Sequence, residues 1–397
     1  METTELDALV DGLLADVPPS SVSAIEFLGA QFDRGLAWVH FPRGEGGLGG
    51  SPADQQYVLR RLMHAGAPSA VGRNVIGYGM VAPTLVVHGT PEQKARYLRP
   101  LFTGEEIWCQ LFSEPGAGSD VASLATRAER DGDLWRISGQ KVWTTLAHVA
   151  SFGLLIARTD PDVVKHRGIT AFIVDMHAPG VEVRPLYQIT GEAEFNECFF
   201  NDAVVPDDHR LGGVGDGWGV SITTLMNERV SIGGTVPPRD SGLIGEALRL
   251  WRRGWTDRDD AHARARRTEL LESWVRNEVA RLSNWRASDL RRAGTPGPEG
   301  SAAKLAFAEE NQRTSALCVD LMGAEGMLYP TRFPHVRPTE SAMTGGDPRR
   351  AFLRMRANSI EGGTSEVMRN IIAERVLGLP GEPRVDKDVA WKDVPRG

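Results

Sequence analysis

The sequence predicts an α+β protein with an N-terminal helical domain over residues 1–107, a central antiparallel, barrel-like β domain over 108–222, and a C-terminal helical bundle over 223–380, followed by a tail over 381–397. Three observations predict it. Apolar residues recur at helical spacing at both ends of the chain. The middle carries short β-branched and aromatic runs broken by Gly, Pro, Asn and Asp. No long helical pattern separates those runs, which argues against alternating β-α units. With 397 residues, 41% hydrophobic and 24% charged, the chain has enough apolar material for two or three packed domains.

The N-terminal helices are marked by their caps. In Thr90-Pro91-Glu92-Gln93, Thr90 can cap, Pro91 presets the first-turn dihedral and Gln93 can close a capping box. Ser51-Pro52-Ala53-Asp54 repeats the cap-then-proline signal ahead of Tyr57, Val58, Leu62 and Met63, which share one helical face. Strands are expected at 134–137, 152–157, 169–174, 181–183 and 198–200. Helices return after about 223, with Leu271, Val275, Val279, Leu282 and Trp285 spaced by three and four and a stop near Gly294 and Pro296. Leu305, Ala308, Leu317, Leu321 and Met322 define another helix before Gly323, and a last one runs from Thr364 to Leu377. The polar tail is expected to be loose.

A net charge of −7 argues against a nucleic-acid partner, which would need clustered cations; Arg264, Arg266 and Arg267 lie beside Asp257, Asp259 and Asp260 and read as a solvated face. No apolar run is long enough for a membrane span, and the acidic, amphipathic start lacks a signal peptide's basic region and apolar core. Cys109, Cys198 and Cys318 are too dispersed for a local metal motif and too few for a disulfide framework, which fits a reducing cytoplasm.

Two motifs are misleading. Gly44-Glu45-Gly46-Gly47-Leu48-Gly49 spells a dinucleotide fingerprint, but Pro42 interrupts the strand that should precede it and no parallel strand with an acidic ribose ligand follows, so it reads as a glycine turn. Ser301-Ala302-Ala303-Lys304 mimics a serine-lysine nucleophile without its companion motifs, inside a helix.

The informative segments are WCQLFSEPGAGSD at 108–120 and Ile137-Ser138-Gly139-Gln140-Lys141-Val142-Trp143-Thr144-Thr145. The first offers small residues after Pro115 that let the backbone bend and approach a planar ligand, with hydroxyls at Ser113 and Ser119; the second places a large aromatic and two hydroxyls at a strand end. Together with RGITAFIVDM (167–176), VEVRPL (181–186), EFNECFFNDAVVP (194–206), GWGVSITTLMNER (217–229) and EGGTSEVMRNIIAERVLGLP (361–380), they resemble the acyl-CoA dehydrogenase family over nearly the whole chain.

That resemblance implies FAD between the β domain and the C-terminal bundle, and an α,β-dehydrogenation of an acyl-CoA thioester. It implies that Gln110, Phe112, Ser113, Gly118 and Ser119 contact flavin or substrate, that Trp143, Thr144 and Thr145 pack on the isoalloxazine ring, and that Thr364 and Glu366 contact the adenine nucleotide. In similar proteins the hydroxyl at the position of Thr145 bonds the reactive flavin nitrogen. The base that many members carry in a Tyr-Glu-Gly-Thr turn is missing, since Glu361-Gly362-Gly363-Thr364 puts Gly362 there. Isovaleryl-type, long-chain and steroid side-chain members place the glutamate before an arginine on the first C-terminal helix, here Glu228-Arg229. The neighbours of Glu228 at three and four positions are Thr224, Leu225, Ser231 and Ile232, so an apolar face should raise its pKa toward that of a general base; Glu361 is the alternative. Ser119, Arg229 and Gly362 are the substrate-binding expectations.

The resemblance further implies that electrons leave to an electron-transfer flavoprotein. Two segments that grip a neighbouring subunit's FAD depart from the family pattern: the Arg-x-Gln-Phe segment is not evident within 255–275, and Asp320 and Ala324 stand in the second. The expected assembly is therefore a homo-oligomer or a heterotetramer with a related chain. A non-catalytic partner subunit, and a flavin oxidase or monooxygenase on the same fold, are the alternatives.

Overall fold

In the computed structural model the β domain organises the molecule. Its strands are β1 (Trp108–Leu111), β2 (Arg127–Asp131), β3 (Leu134–Thr145), β4 (Phe152–Arg158), β5 (Ile169–Asp175), β6 (Val181–Leu186), β7 (Phe195–Pro206) and β8 (Arg210–Leu211). They lie in the order β6-β7-β3-β2-β4-β5-β8, with β1 beside β4. All residues are described except 73, 234–235, 293–298, 330–334, 341–345, 385 and 396–397; the side chains of 228–233, 291–292 and 299 are also outside the described set.

The sheet is mixed and not purely antiparallel as expected. The pairs β2–β3, β3–β7, β4–β5, β5–β8 and β6–β7 are antiparallel, but β1 and β2 run parallel to β4. A parallel pair needs a long connection, and the stretch 112–151 between β1 and β4 supplies one. Sequence missed β2, whose RAERD buries only Ala128 and so shows no apolar run.

One face of the sheet closes over Cys109, Leu111, Trp135, Ile137, Leu155, Phe172, Val174, Cys198 and Phe200. The other face, through Trp108, Leu154, Ile156, Ile169, Ala171 and Ile173, joins the core of the N-terminal helices. Covered on both sides, β4 and β5 are apolar almost throughout, which is why they were legible.

The N-terminal helices are α1 (Thr3–Asp16), α2 (Ala24–Asp33), α3 (Pro52–His64), α4 (Ala82–His88) and α5 (Pro91–Thr103). Both capping boxes form: Thr90 and Gln93 exchange hydrogen bonds of 3.1 and 3.2 Å, and Ser51 and Asp54 do the same. The glycine turn is a turn: Gly49 N–H donates to Phe41 O at 2.7 Å, and a Cβ on Gly47 would lie 2.1 Å from that carbonyl oxygen.

The C-terminal helices are α6 (Gly217–Gly233), α7 (Gly242–Gly254), α8 (Ala261–Arg292), α9 (Glu299–Met322), α10 (Pro348–Arg354) and α11 (Ser365–Ile371). Helix resumes at Gly217, ahead of the expected 223, and Gly217 lies so close to the Thr170 backbone that an added Cβ would be 2.7 Å from it. The α11 helix is shorter than expected, passing into a π-turn over Ile372–Val376 before Gly378 at φ 66. Leu271, Val275, Val279, Leu282 and Trp285 do form one stripe on α8, but they face outward, each about half exposed. The basic cluster is ion-paired as a solvated face, Arg264 with Asp259 and Arg266 with Glu269. No described helix is long and apolar enough to cross a membrane.

The tail is not loose. Ala390 bridges Val164, and the amides of Trp391 and Lys392 donate to Val163 O at 2.8 Å and Pro161 O at 3.0 Å. The sequence signal it lacked was periodicity, since a single docked tryptophan leaves none.

Candidate functional site

The segment 110–119 begins as β1. Strand alternation buries Cys109 and Leu111 and leaves Gln110 half-buried on the other face, while Phe112 enters the helical core. Glu114 and Ala117 then close a tight turn. Neither Gly116 nor Gly118 has positive φ, and a Cβ on either would meet nothing within 4 Å. The chain's own bending therefore does not require glycine there. The open space above both is what close approach of a ligand would use. Ser113 is half-buried, and Gly118 and Ser119 are exposed.

A fully buried lysine welds this loop to β3, a role the sequence did not reveal. Lys141 Nζ donates to Phe112 O and to Glu114 Oε1, both at 2.9 Å, and Val142 N–H donates to Ser113 O at 3.0 Å. Glu114 also accepts from the amides of Ala125 at 2.7 Å and Thr126 at 2.9 Å. Burial pulls the Lys141 ammonium down to about 8 against the attraction of Glu114. Burial pushes Glu114 up, but the Lys141 charge and the hydrogen bonds from 125 and 126 outweigh it and hold the carboxyl below its ordinary range. The available signal was a lysine amid apolar neighbours.

Beyond Lys141, β3 slips register against β7, and Trp143 takes φ 60, a left-handed conformation rarely held by a bulky side chain. The bulge turns the indole outward: Trp143 is 58% exposed, edge-on to Phe195 at 5.8 Å between ring centres. Thr145 is half-buried beyond it, and Leu146, also left-handed at φ 55, bonds back to Glu194 O at 2.8 Å. Thr144 is buried in the β domain beside the Cys198 thiol, and its Oγ1 has no hydrogen-bond partner among the described residues. Strained backbone that turns a flat aromatic to solvent beside an open glycine loop fits a planar ring system such as a flavin.

Helix α6 is pinned along its first turns. Thr224 Oγ1 pairs with Thr84 Oγ1 at 3.0 Å, and Thr223 Oγ1 with His88 Nε2 at 2.9 Å. Glu228 and Arg229 are on the α6 backbone, and the side chains of both lie outside the described residues.

The turn 361–364 is held by a buried ionic network. Arg354 joins Glu194 at 3.2 Å and Glu361 at 3.1 Å, and Asn358 Nδ2 donates to Glu361 Oε1 at 2.6 Å. Burial lowers Arg354, but the two carboxylates outweigh it and raise it; burial dominates at Glu194, which is raised despite Arg354. Lys304, of the serine-lysine mimic, donates to Asn358 O at 2.8 Å and to Gly363 O, so its ammonium braces this turn. Gly362 and Gly363 both have positive φ, 63 and 94, and a Cβ on Gly363 would strike Met368. Thr364 caps α11, accepting from Val367 N–H at 3.1 Å, and Glu366 is exposed in the first turn. Asp320 is bound within the chain by Arg266 at 2.6 Å.

A cavity of about 170 Å³ at the α7–α8 corner, walled by residues such as Trp251, Arg258 and Arg264, contains none of these groups and is smaller than ligand pockets usually are. Trp143 itself is exposed among the described residues.

Comparison with known proteins gives three consecutive domain matches: Acyl-CoA dehydrogenase, N-terminal domain, at residues 22–105; middle domain, at 109–203; and C-terminal domain, at 215–377. The chain is 37% identical to "Acyl-CoA dehydrogenase IpdE1" of Mycobacterium tuberculosis, over 96% of this chain and 99% of that protein. It is 39% identical to "Acyl-CoA dehydrogenase FadE34" of the same organism, over 88% of this chain but 45% of that protein. Among solved structures it resembles the ChsE4-ChsE5 complex from Mycobacterium tuberculosis, with TM-score 0.70, 28% identity and coverage of 95% of this chain and 98% of that one. It also resembles "Tcur3481-Tcur3483 steroid ACAD", with TM-score 0.72, 25% identity and coverage of 96% and 98%.

Proposed function

The chain belongs to the acyl-CoA dehydrogenase family, and on that premise we propose that it desaturates the α,β bond of an acyl-CoA thioester in the cytoplasm, with Glu228 as base and an electron-transfer flavoprotein as acceptor. The observation that carries the reading is the Trp143 bulge, outward-facing and left-handed, welded through Lys141 to the open 116–119 loop. Trp143 and Thr145 would hold the isoalloxazine ring, with Gln110, Ser113 and Gly118 beside it and Thr364 and Glu366 at the nucleotide end. FAD, when bound, accepts hydride from the β carbon. Glu228 takes the α proton, so that a C–C double bond replaces one proton and one hydride. Ser119, Arg229 and the Gly362 backbone hold the substrate, and apolar neighbours keep water from the base.

Glu361 is a poor base because Arg354 and Asn358 occupy its carboxylate, and any proton it took would cost that ion pair. Anaerobic addition of acyl-CoAs of differing chain and ring structure tests the activity. A yellow protein bleached by at least one supports it; a colourless chain that takes up no FAD, alone or with a partner, refutes it.

A related partner chain is favoured by specific features. Asp320 is spent on Arg266, the α8 stripe is uncovered, and Trp143 is exposed among the described residues. Two solved relatives are named as two-component proteins, and FadE34 matches this chain over less than half its length. We therefore read the assembly as a heterotetramer, with this chain contributing Glu228.

A further inference from the structure

The loop from Gly116 to Asp120 packs through Ala117, which is buried in the N-terminal core, whereas Cβ atoms at 116 and 118 would meet nothing and Ser119 is exposed. Beyond Ala117 the loop is ordered from its ends. At the first end Glu114 is fixed by Lys141. At the second, Asp120 is held by Lys165 at 2.6 Å, and the same ammonium is held at 2.6 Å by Asp386 of the C-terminal segment. Lys165 is buried, and both carboxylates pair with its ammonium there.

The segment also covers a second clamp. Arg158, itself buried, donates to Lys165 O at 2.6 Å, Ala122 O at 2.6 Å and Leu124 O at 3.2 Å, tying the chain after Asp120 to the β4–β5 loop. The Trp391 ring lies on that guanidinium, 4.6 Å from the ring centre, and its indole N–H donates to Ser123 O at 3.3 Å. Lys392 adds an ion pair to Asp162 at 2.6 Å.

We propose that the C-terminal segment is a strap that orders the substrate-binding loop, with Asp386 and Trp391 as positioning residues for acyl-CoA binding. The proposal rests on the assignment of Ser119 to the substrate. Losing the strap leaves Lys165 with one carboxylate and exposes Arg158 to water, so the carbonyls of 122 and 124 and the Asp120 carboxylate loosen together. The Trp143 side of the flavin face, anchored through Lys141 to Phe112 and Glu114, keeps its hold, while the Gly118 side loosens with the loop.

The test uses the full assembly carrying Trp391→Ala, Asp386→Asn or a chain ended after Pro380, and reads amide exchange over 116–124, flavin content and the Kd for free coenzyme A, the part common to all acyl-CoA substrates. Expected are faster exchange over that loop, flavin still bound through the Trp143 side, and a Kd for coenzyme A weaker by about tenfold, equivalent to one ordering contact. Trp391→Phe, which keeps the ring over Arg158, should retain most loop protection. Unchanged exchange in the point variants overturns the strap. Faster exchange with unchanged coenzyme A affinity also overturns the positioning role, and locates the error in the assignment of Ser119 to the substrate.

Discussion

A general base must be free to take a proton, and the Glu361 carboxylate already accepts from Arg354 and Asn358. Glu228→Gln should lower the rate of anaerobic flavin reduction by about 100-fold to 10,000-fold with FAD retained, because the amide keeps size but cannot accept the proton. Glu361→Gln should keep substantial turnover. Rapid-reaction absorbance decides, and the reverse ranking would move the base to the turn. A second carboxylate makes a pH prediction. Asp207 is pulled down from 3.8 to about 2, chiefly by hydrogen bonds from Arg210 and then Trp135. Its folded value lies below its unfolded one, so its stabilisation is complete above the unfolded value and is lost as pH falls through about 2. Asp207→Asn should cost about 1–2 kcal/mol near pH 6, the scale of charge-assisted hydrogen bonds, and progressively less as acid is added; denaturant midpoints along the pH series check this. The sequence proposes Glu228 from its motif alone. The partnerships of Lys141, Arg354 and Lys304 were not legible in it, because each joins residues far apart in sequence.

For elements, the capped helices were the most legible because a cap is a local contract among four residues. Their tertiary use was hidden. Gln93 closes the box at α5 and also donates to Asp208 O at 2.7 Å and Arg210 O at 2.9 Å, tying the helix to the end of the β domain. Thr90→Ala should cost about 1 kcal/mol, the usual value of a cap. Gln93→Ala should cost about 1–2 kcal/mol more because it also removes the donor from the part-buried carbonyls of Asp208 and Arg210. Equal losses in urea titration would show that the second link contributes nothing. Strands β4 and β5 were readable from continuous burial, whereas charged β2 was not.

At the scale of the whole molecule, the α8 stripe is an apolar surface of the kind that marks an interface. Val279→Asp, at its centre, should reduce the assembly's mass in solution while leaving far-ultraviolet circular dichroism of the chain unchanged, because Val279 is exposed in the single chain. The native mass should correspond to two chain types. Four identical chains with four tightly held flavins would refute the heterotetramer.

Sequence by itself determined the α+β class, the helix starts, the family and the order of its motifs, since these depend on residues within a turn or a strand of one another. It also placed Trp143 and Thr145 at a strand end. Only the tertiary structure decided that Thr144 faces inward, that two strands run parallel to β4, that Glu361 is bound by Arg354, and that the polar tail is a docked strap. The Arg354–Glu361 pair spans seven residues but belongs to a network closed by Glu194, 160 residues away. The strap is set by contacts between distant segments, Trp391 on Arg158 and Asp386 on Lys165, and a pairing across hundreds of residues leaves no period in the chain for a local pattern to register.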